Sequence, residues 1–191
     1  AEMSNLVIVE DDIFADFEEE PAPRLAALDN LDRVIHIGSF SKTLSAAVRC
    51  GYVAIRHDWL DRLVDLSVAT AFGAGRLSSE IVLHVMRDGS YRRHLQLLRT
   101  RLVRARADVA ARLAEIGVVP WLEPRAGMFL WCRLPEGMDA AERARAGLAR
   151  DVVLAPGNVF SLAQSAPSFM RFNVAQCARP EAIDLLRGLL A

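Results

Sequence analysis

Apolar residues in this chain fall first in short unbroken runs and then at helical spacing. "LVIVEDD" (6–12) is a continuous apolar run closed by acids, the pattern of a strand buried on both faces whose carboxyl end meets solvent or a ligand. "RVIHIGSF" (33–40) and "VRCGYVAI" (48–55) repeat it, and "EEEPAPRLAALDN" supplies proline punctuation and a short connection between the first two. Asp58 is placed to cap a helix through "WLDRLVDLSVATAF", and a second helix fits "RLSSEIVLHVMRDG", closing at Gly89. From Ser90 to about Gly117, Leu95, Leu98, Leu102, Val109 and Leu113 recur on or near one helical face with arginines over the other. This predicts a long amphipathic helix, a candidate domain connector.

Beyond Gly117 the pattern becomes that of a smaller mixed unit. "VVPWLEP" and "GMFLWCRL" open it, "DAAERARAGLAR" reads as a helix and "VVLA" as a short strand. "PGNVF", "FMRFNVA" and a closing helix from Pro180 follow. The order predicts the end of an α/β domain followed by a compact α+β domain, with no internal repeat and no low-complexity tract.

Composition narrows the function classes. At 191 residues and 52% hydrophobic, the chain can bury a sizeable core, and a formal net charge of -1 gives no electrostatic case for a nucleic-acid or membrane surface. Cys50, Cys132 and Cys177 are far apart, lack C-x-x-C spacing and make an odd count, which suits a reducing compartment, by default the cytosol. No apolar run is long enough to span a bilayer. The start, "AEMSNLVIVEDD", enters a strand pattern abruptly without a signal-peptide layout, as expected of the later part of a longer protein.

The chemistry centres on Lys42, the single lysine of an arginine-rich chain. Arginine stays protonated, whereas a lysine amine can be deprotonated and attack a carbonyl. An arginine bias alone leaves a stray lysine by chance, so position is the stronger signal. Lys42 follows Ser39 and Ser41 just past a buried-type strand, and open α/β sheets bind ligands outside the carboxyl ends of their strands. Asp11 ends the preceding apolar run. A buried carboxylate and a reactive amine at neighbouring strand ends match what pyridoxal phosphate requires: a Schiff-base lysine and an acid that keeps the pyridine nitrogen protonated. Ser39, Ser41 and Arg49 are near enough in sequence to gather around its phosphate.

These residues resemble the fold type I pyridoxal-phosphate enzymes of aminotransferase class I and II, over the later half of the family's catalytic domain. "SFSKTLSAAVRCGY" is similar to the cofactor-lysine motif, with Lys42 as the lysine and Ser39 and Arg49 as phosphate ligands. "VIVEDDIF" resembles the strand that delivers the pyridine-nitrogen aspartate, Asp11, and "PGNVF" (156–160) a late Pro-Gly loop. "MRFNVA" places Arg171 where the family grips the substrate α-carboxylate. The resemblance implies the C-terminal part of a three-layer α/β/α large domain, residues 1–95, followed by a small α+β domain, residues 96–191. It also implies a homodimer whose small-molecule partner is an amino acid or amine.

One position departs from the pattern. Three residues after Asp11 the aminotransferases usually carry a tyrosine that bonds the cofactor's O3′; here it is Phe14, which has no donor, so control of the imine pKa is lost and transamination is slowed. "EDDIFADF" more closely resembles the aminotransferase-like domains of MocR-type regulators of the GntR family, which sense cofactor or an amino compound, make the dimer and contact DNA only through an upstream winged-helix domain. A free-standing aminotransferase is the alternative.

Other features have plainer readings. Glu10, Asp11, Asp12, Asp16 and Glu18 to Glu20 also suit a divalent-metal or phosphoacceptor site, but such a site gives no reason for Arg49 and Arg171. "RTRLVRARADVAAR" fits a solvent-facing helix surface better than a nucleic-acid contact. His36, His57, His84 and His94 lack ligand spacing, and Trp121 and Trp131 read as packing residues.

Overall fold

A computed structural model describes residues 6–73 and 75–190, which separate into two compact units dividing after Arg99. The first holds β1 (Ile8–Asp11), α1 (Leu25–Leu28), β2 (Val34–Ser39), β3 (Gly51–Ala54), α2 (Leu60–Ala71), α3 (Arg76–Arg87) and the start of α4 (Ser90–Ala114). Its sheet runs β1-β2-β3. β1 and β2 are parallel, with Asp11 opposite Ile37, and β3 returns antiparallel, with Gly51 opposite Ser39.

The apolar runs become strands, but β1 is not buried on both faces as its composition suggests. It is an edge strand, and Val9 is 58% exposed because no described element of this unit covers that face. Polar side chains set the strand boundaries. Glu10 accepts hydrogen bonds from the Leu25 and Ala26 amides (2.8 and 3.0 Å), satisfying the N-terminus of α1, and Asp29 accepts from Arg33 and Val34 where β2 begins.

The cap expected of Asp58 is not formed. Residues His57–Trp59 make a 3-10 turn first, Trp59 takes the N-cap position of α2, and the Asp58 carboxylate instead accepts from Arg56 Nε. α3 ends as expected, with Gly89 in the left-handed region (φ 74°). Along α4, Leu95, Leu102, Val109 and Leu113 are buried and Leu98 is only partly covered. The helix belongs to the first unit as far as Arg99 and to the second from Thr100.

The second unit contains the rest of α4, β4 (Val119–Pro120), β5 (Phe129–Arg133), α5 (Ala140–Leu148), β6 (Ala155–Pro156), β7 (Phe169–Asn173), α6 (Val174–Cys177) and α7 (Pro180–Leu190). Its antiparallel sheet has the order β4-β5-β7-β6. Alternation along β5 and β7 sends Leu130, Cys132, Met170 and Phe172 into the core, which Ile183, Leu186, Leu189 and Leu190 of α7 also enter. Each leucine, isoleucine, methionine or phenylalanine among them contributes about 1.5–3 kcal/mol on burial. Asp139 caps α5 through the Ala141 and Glu142 amides, and Asn173 caps α6.

The strand expected over "VVLA" shrinks to Ala155–Pro156. The Arg150 and Val152 amides both bond back to the Gly147 carbonyl to close α5, which leaves Val152 and Val153 outside the sheet. Gly157 follows in close contact, where an added Cβ would lie 2.3 Å from the Ala166 carbonyl oxygen.

Candidate functional site

β1 and β2 run parallel as neighbours, so their last residues, Asp11 and Ser39, share one edge of the sheet. The chain leaves β2 at Ser39 and re-enters the sheet at Gly51. The intervening loop is closed by Phe40 N to Cys50 O (3.0 Å) and Leu44 N to Phe40 O (2.8 Å), and Lys42 lies within it. Ser39 Oγ accepts from the Ser41 amide (3.1 Å), so its own hydroxyl proton remains available to donate. Ser45 caps the short turn Ala46–Val48, and Arg49 follows it in the left-handed region (φ 49°).

Ser39, Ser41 and Arg49 line one concavity of about 300 Å³ together with Gly38, Cys50 and Tyr52, and no carboxylate lines it. Lys42 and Asp11 are outside that lining. Both are exposed in these 191 residues, where a buried Asp11 was expected: Asp11 shares with Val9 the face of β1 that no described element of this unit covers, and among the described residues it accepts a long 3.4 Å bond from the Ile13 amide. Phe14 approaches Phe17, with 6.0 Å between ring centroids.

The loop is held by residues distant in sequence. Thr43, next to Lys42, is 2% exposed; its hydroxyl lies 2.7 Å from the Tyr91 hydroxyl, which donates to Asp16 Oδ2 at 2.5 Å. His94 Nε2 donates to the Thr43 carbonyl (2.7 Å), Arg99 Nε to the Asp16 carbonyl (2.8 Å), and Phe40 meets the Tyr91 ring edge-on. Burial, and then the Asp16 carboxylate, push the Tyr91 phenol well above its ordinary pKa, so it stays a donor. Sequence reasoning missed Thr43, Tyr91 and the role of His94, because the two hydroxyls are 48 positions apart and no local period connects them.

The acid-rich stretch serves local structure. Arg24 Nε pairs closely with Asp12, Arg24 Nη2 is 3.0 Å from Glu18, and Glu18 also accepts from the Ala22 amide (2.9 Å). His36 Nδ1 is 3.3 Å from Glu10. Among the described residues no group of three His, Cys, Asp or Glu side chains could hold a metal ion.

Arg171 belongs to the second unit, in the middle of β7. Its guanidinium lies 4.3 Å from the ring centroids of both Phe129 and Phe160, the latter supplied by the "PGNVF" turn. Trp131, its cross-strand partner, stacks on Phe169, while Trp121 keeps 55% of its surface exposed and is less a core residue than its composition suggested.

Comparison with known proteins gives a consistent result. The chain is 34% identical over 134 residues to the HTH-type transcriptional regulator NorG of Staphylococcus aureus, covering 69% of this chain and 30% of the relative. It is 30% identical over 158 residues to the uncharacterised HTH-type transcriptional regulator YisV of Bacillus subtilis, covering 80% and 32%. It therefore spans about a third of the length of these relatives. Among solved structures, LysN, an alpha-aminoadipate aminotransferase of Thermus thermophilus complexed with N-(5'-phosphopyridoxyl)-L-leucine, matches with TM-score 0.85 and 25% identity over 99% of this chain and 51% of its own. Both units thus follow the fold type I aminotransferase pattern. No described helix is long and apolar enough to cross a membrane. The family model "Aminotransferase class I and II" matches residues 1–189, and the chain belongs to that family.

Proposed function

We propose that this chain is a pyridoxal-phosphate-binding aminotransferase-like module, with Lys42 holding the cofactor covalently, serving as the effector-sensing and dimerisation part of a GntR/MocR-type regulator. The observation that carries the cofactor reading is the Ser39, Ser41 and Arg49 concavity. Two hydroxyls and a guanidinium with no lining carboxylate suit a phosphate dianion, beside a loop carrying the one primary side-chain amine of the sequence. The regulator reading is supported by the relatives named as HTH-type regulators and by Phe14. DNA would be read by a region outside these 191 residues. In this reading residues 1–95 are the cofactor-binding part and 96–191 the small domain.

When bound, the cofactor supplies a pyridine ring that accepts electrons from the amino-bearing carbon of an amino compound. Lys42 Nζ would hold the cofactor covalently and, when free, would be the amine that carries a proton to or from that carbon. Asp11 would keep the ring nitrogen protonated, and Ser39, Ser41 and Arg49 would hold the phosphate. Arg171 would hold the α-carboxylate of the amino compound. Thr43, Tyr91 and His94 fix the loop that presents Lys42. A ligand-driven shift of domain or dimer geometry is then the output.

The test is to mix the chain with pyridoxal phosphate, reduce with borohydride and locate the added mass by peptide mapping. A phosphopyridoxyl group on Lys42 is expected; its absence from both this chain and a full-length parent overturns the cofactor reading. A free-standing aminotransferase is the second reading, favoured by the likeness to LysN. It predicts steady-state amino-group transfer that Lys42→Ala abolishes.

A further inference from the structure

The outer face of the second unit's sheet has an unusual make-up. Strand alternation brings Phe129, Trp131 and Arg133 of β5 and Phe169 and Arg171 of β7 to the face opposite the core, with Trp131 opposite Arg171 and Arg133 opposite Phe169. The rings form a connected series. Trp121 meets Phe169 edge-on, Phe169 stacks on Trp131, and Trp131 meets Phe160 edge-on. Two guanidiniums lie on that series, Arg133 at 4.8 Å from the Trp121 centroid and Arg171 between Phe160 and Phe129.

Neither arginine has a carboxylate partner among the described residues. Ring contacts occupy the faces of a guanidinium and leave its N–H donors directed outward in its own plane, the geometry that takes a carboxylate through two parallel bonds. Half-burial between rings also limits the rotamers Arg171 can adopt, so it loses less freedom when a ligand arrives. Beside it, Trp121, Leu122, Pro124, Phe129 and Trp131 wall a concavity of about 370 Å³, large enough for an aromatic amino acid. The charged members of that wall are Arg171 and Glu123, so it offers one cation to a ligand's carboxylate and none to a second.

We propose that this sheet face binds a carboxylate joined to a flat or bulky apolar group, so that the amino compound recognised is an aromatic or large apolar amino acid and not a dicarboxylic one. The proposal rests on the reading of Arg171 as the carboxylate-holding residue and adds the side-chain class. Phe129, Trp121 and Trp131 are its specificity-determining residues, and Phe160 positions Arg171.

The test uses three probes that lack an amine and so cannot condense with a carbonyl: 3-phenylpropionate, glutarate and 2-phenylethanol. Each is titrated against the full chain by ligand-observed NMR. Saturable binding of 3-phenylpropionate is expected, at least tenfold tighter than glutarate or 2-phenylethanol. Arg171→Gln should weaken it at least tenfold and Arg171→Lys less. Trp121→Ala, at an exposed position, should weaken 3-phenylpropionate several-fold while leaving glutarate unchanged, with circular dichroism confirming that each variant is folded. Glutarate binding as tightly as 3-phenylpropionate, equal binding by Arg171→Gln, or no saturable binding of any probe overturns the proposal. Since no probe reacts at Lys42, loss of borohydride labelling there leaves this result standing, and failure here leaves the labelling result standing.

Discussion

Thr43 Oγ1 and Tyr91 Oη lie 2.7 Å apart, joining the loop that carries Lys42 to the first turn of α4 across 48 positions of sequence. Neither hydroxyl is spare, since Tyr91 also donates to Asp16. A buried hydroxyl stripped of its partner keeps its desolvation cost, about 1–3 kcal/mol. Tyr91→Phe should lower stability to urea by that amount. It should also slow covalent capture of pyridoxal phosphate by Lys42, followed by absorbance, because the loop loses its anchor. Thr43→Val, which replaces the hydroxyl by a methyl of similar volume, should slow capture as well; unchanged capture in both variants would separate the anchor from the lysine.

Gly38 faces Tyr52 across β2 and β3, and the tyrosine ring lies over the glycine so closely that an added Cβ would sit 2.2 Å from Cζ. Gly38→Ala should therefore cost about 1–3 kcal/mol through overpacking. Combining it with Tyr52→Ala should cost less than the sum of the two single changes, since removing the ring removes the clash. Thermal melts of the four proteins in that cycle check this, and simple additivity would show that the ring moves aside freely.

Glu10 and Glu18 hold acid-sensitive structure. The Ala26 and Leu25 amides, with His36, lower the Glu10 pKa from its ordinary 4.5, and the Ala22 amide followed by Arg24 lowers that of Glu18. Their folded values lie below the unfolded ones, so their stabilisation is present above pH 4.5 and is lost as pH falls through the depressed folded values. Glu18→Gln should lose stability at pH 7 and flatten the acid limb of a stability–pH curve measured by denaturant midpoints. A parallel acid limb in the variant would count against this account.

The cysteines should differ in reactivity. Cys132 is 0% exposed and burial pushes its thiol up to about 12; burial raises that of Cys177 as well. Only Cys50 is partly accessible. Iodoacetamide at neutral pH should label Cys50 first, with Cys132 and Cys177 reacting only when denaturant is present, as read by peptide mass.

Much of this was legible in the residues because it is local. Apolar runs give strands at β1, β2 and β3, a leucine period gives α4, and Gly89 stops α3 because a residue without Cβ tolerates positive φ. The "SFSKTLSAAVRCGY" stretch carries the resemblance that singled out the lysine, the serines and Arg49 as candidates, and the fold that the family model matches followed from that resemblance. What sequence alone could not supply depends on partners far along the chain. Whether an apolar strand is covered is decided by what packs on each of its faces, and the face of β1 that carries Val9 and Asp11 is exposed among the described residues. The Thr43–Tyr91–Asp16 anchor joins segments with no shared period. The stacking of Arg171 between Phe129 and Phe160 requires a strand and a distant turn to meet, and hydrogen bonds and ring contacts of that kind form only once tertiary packing has brought them within reach.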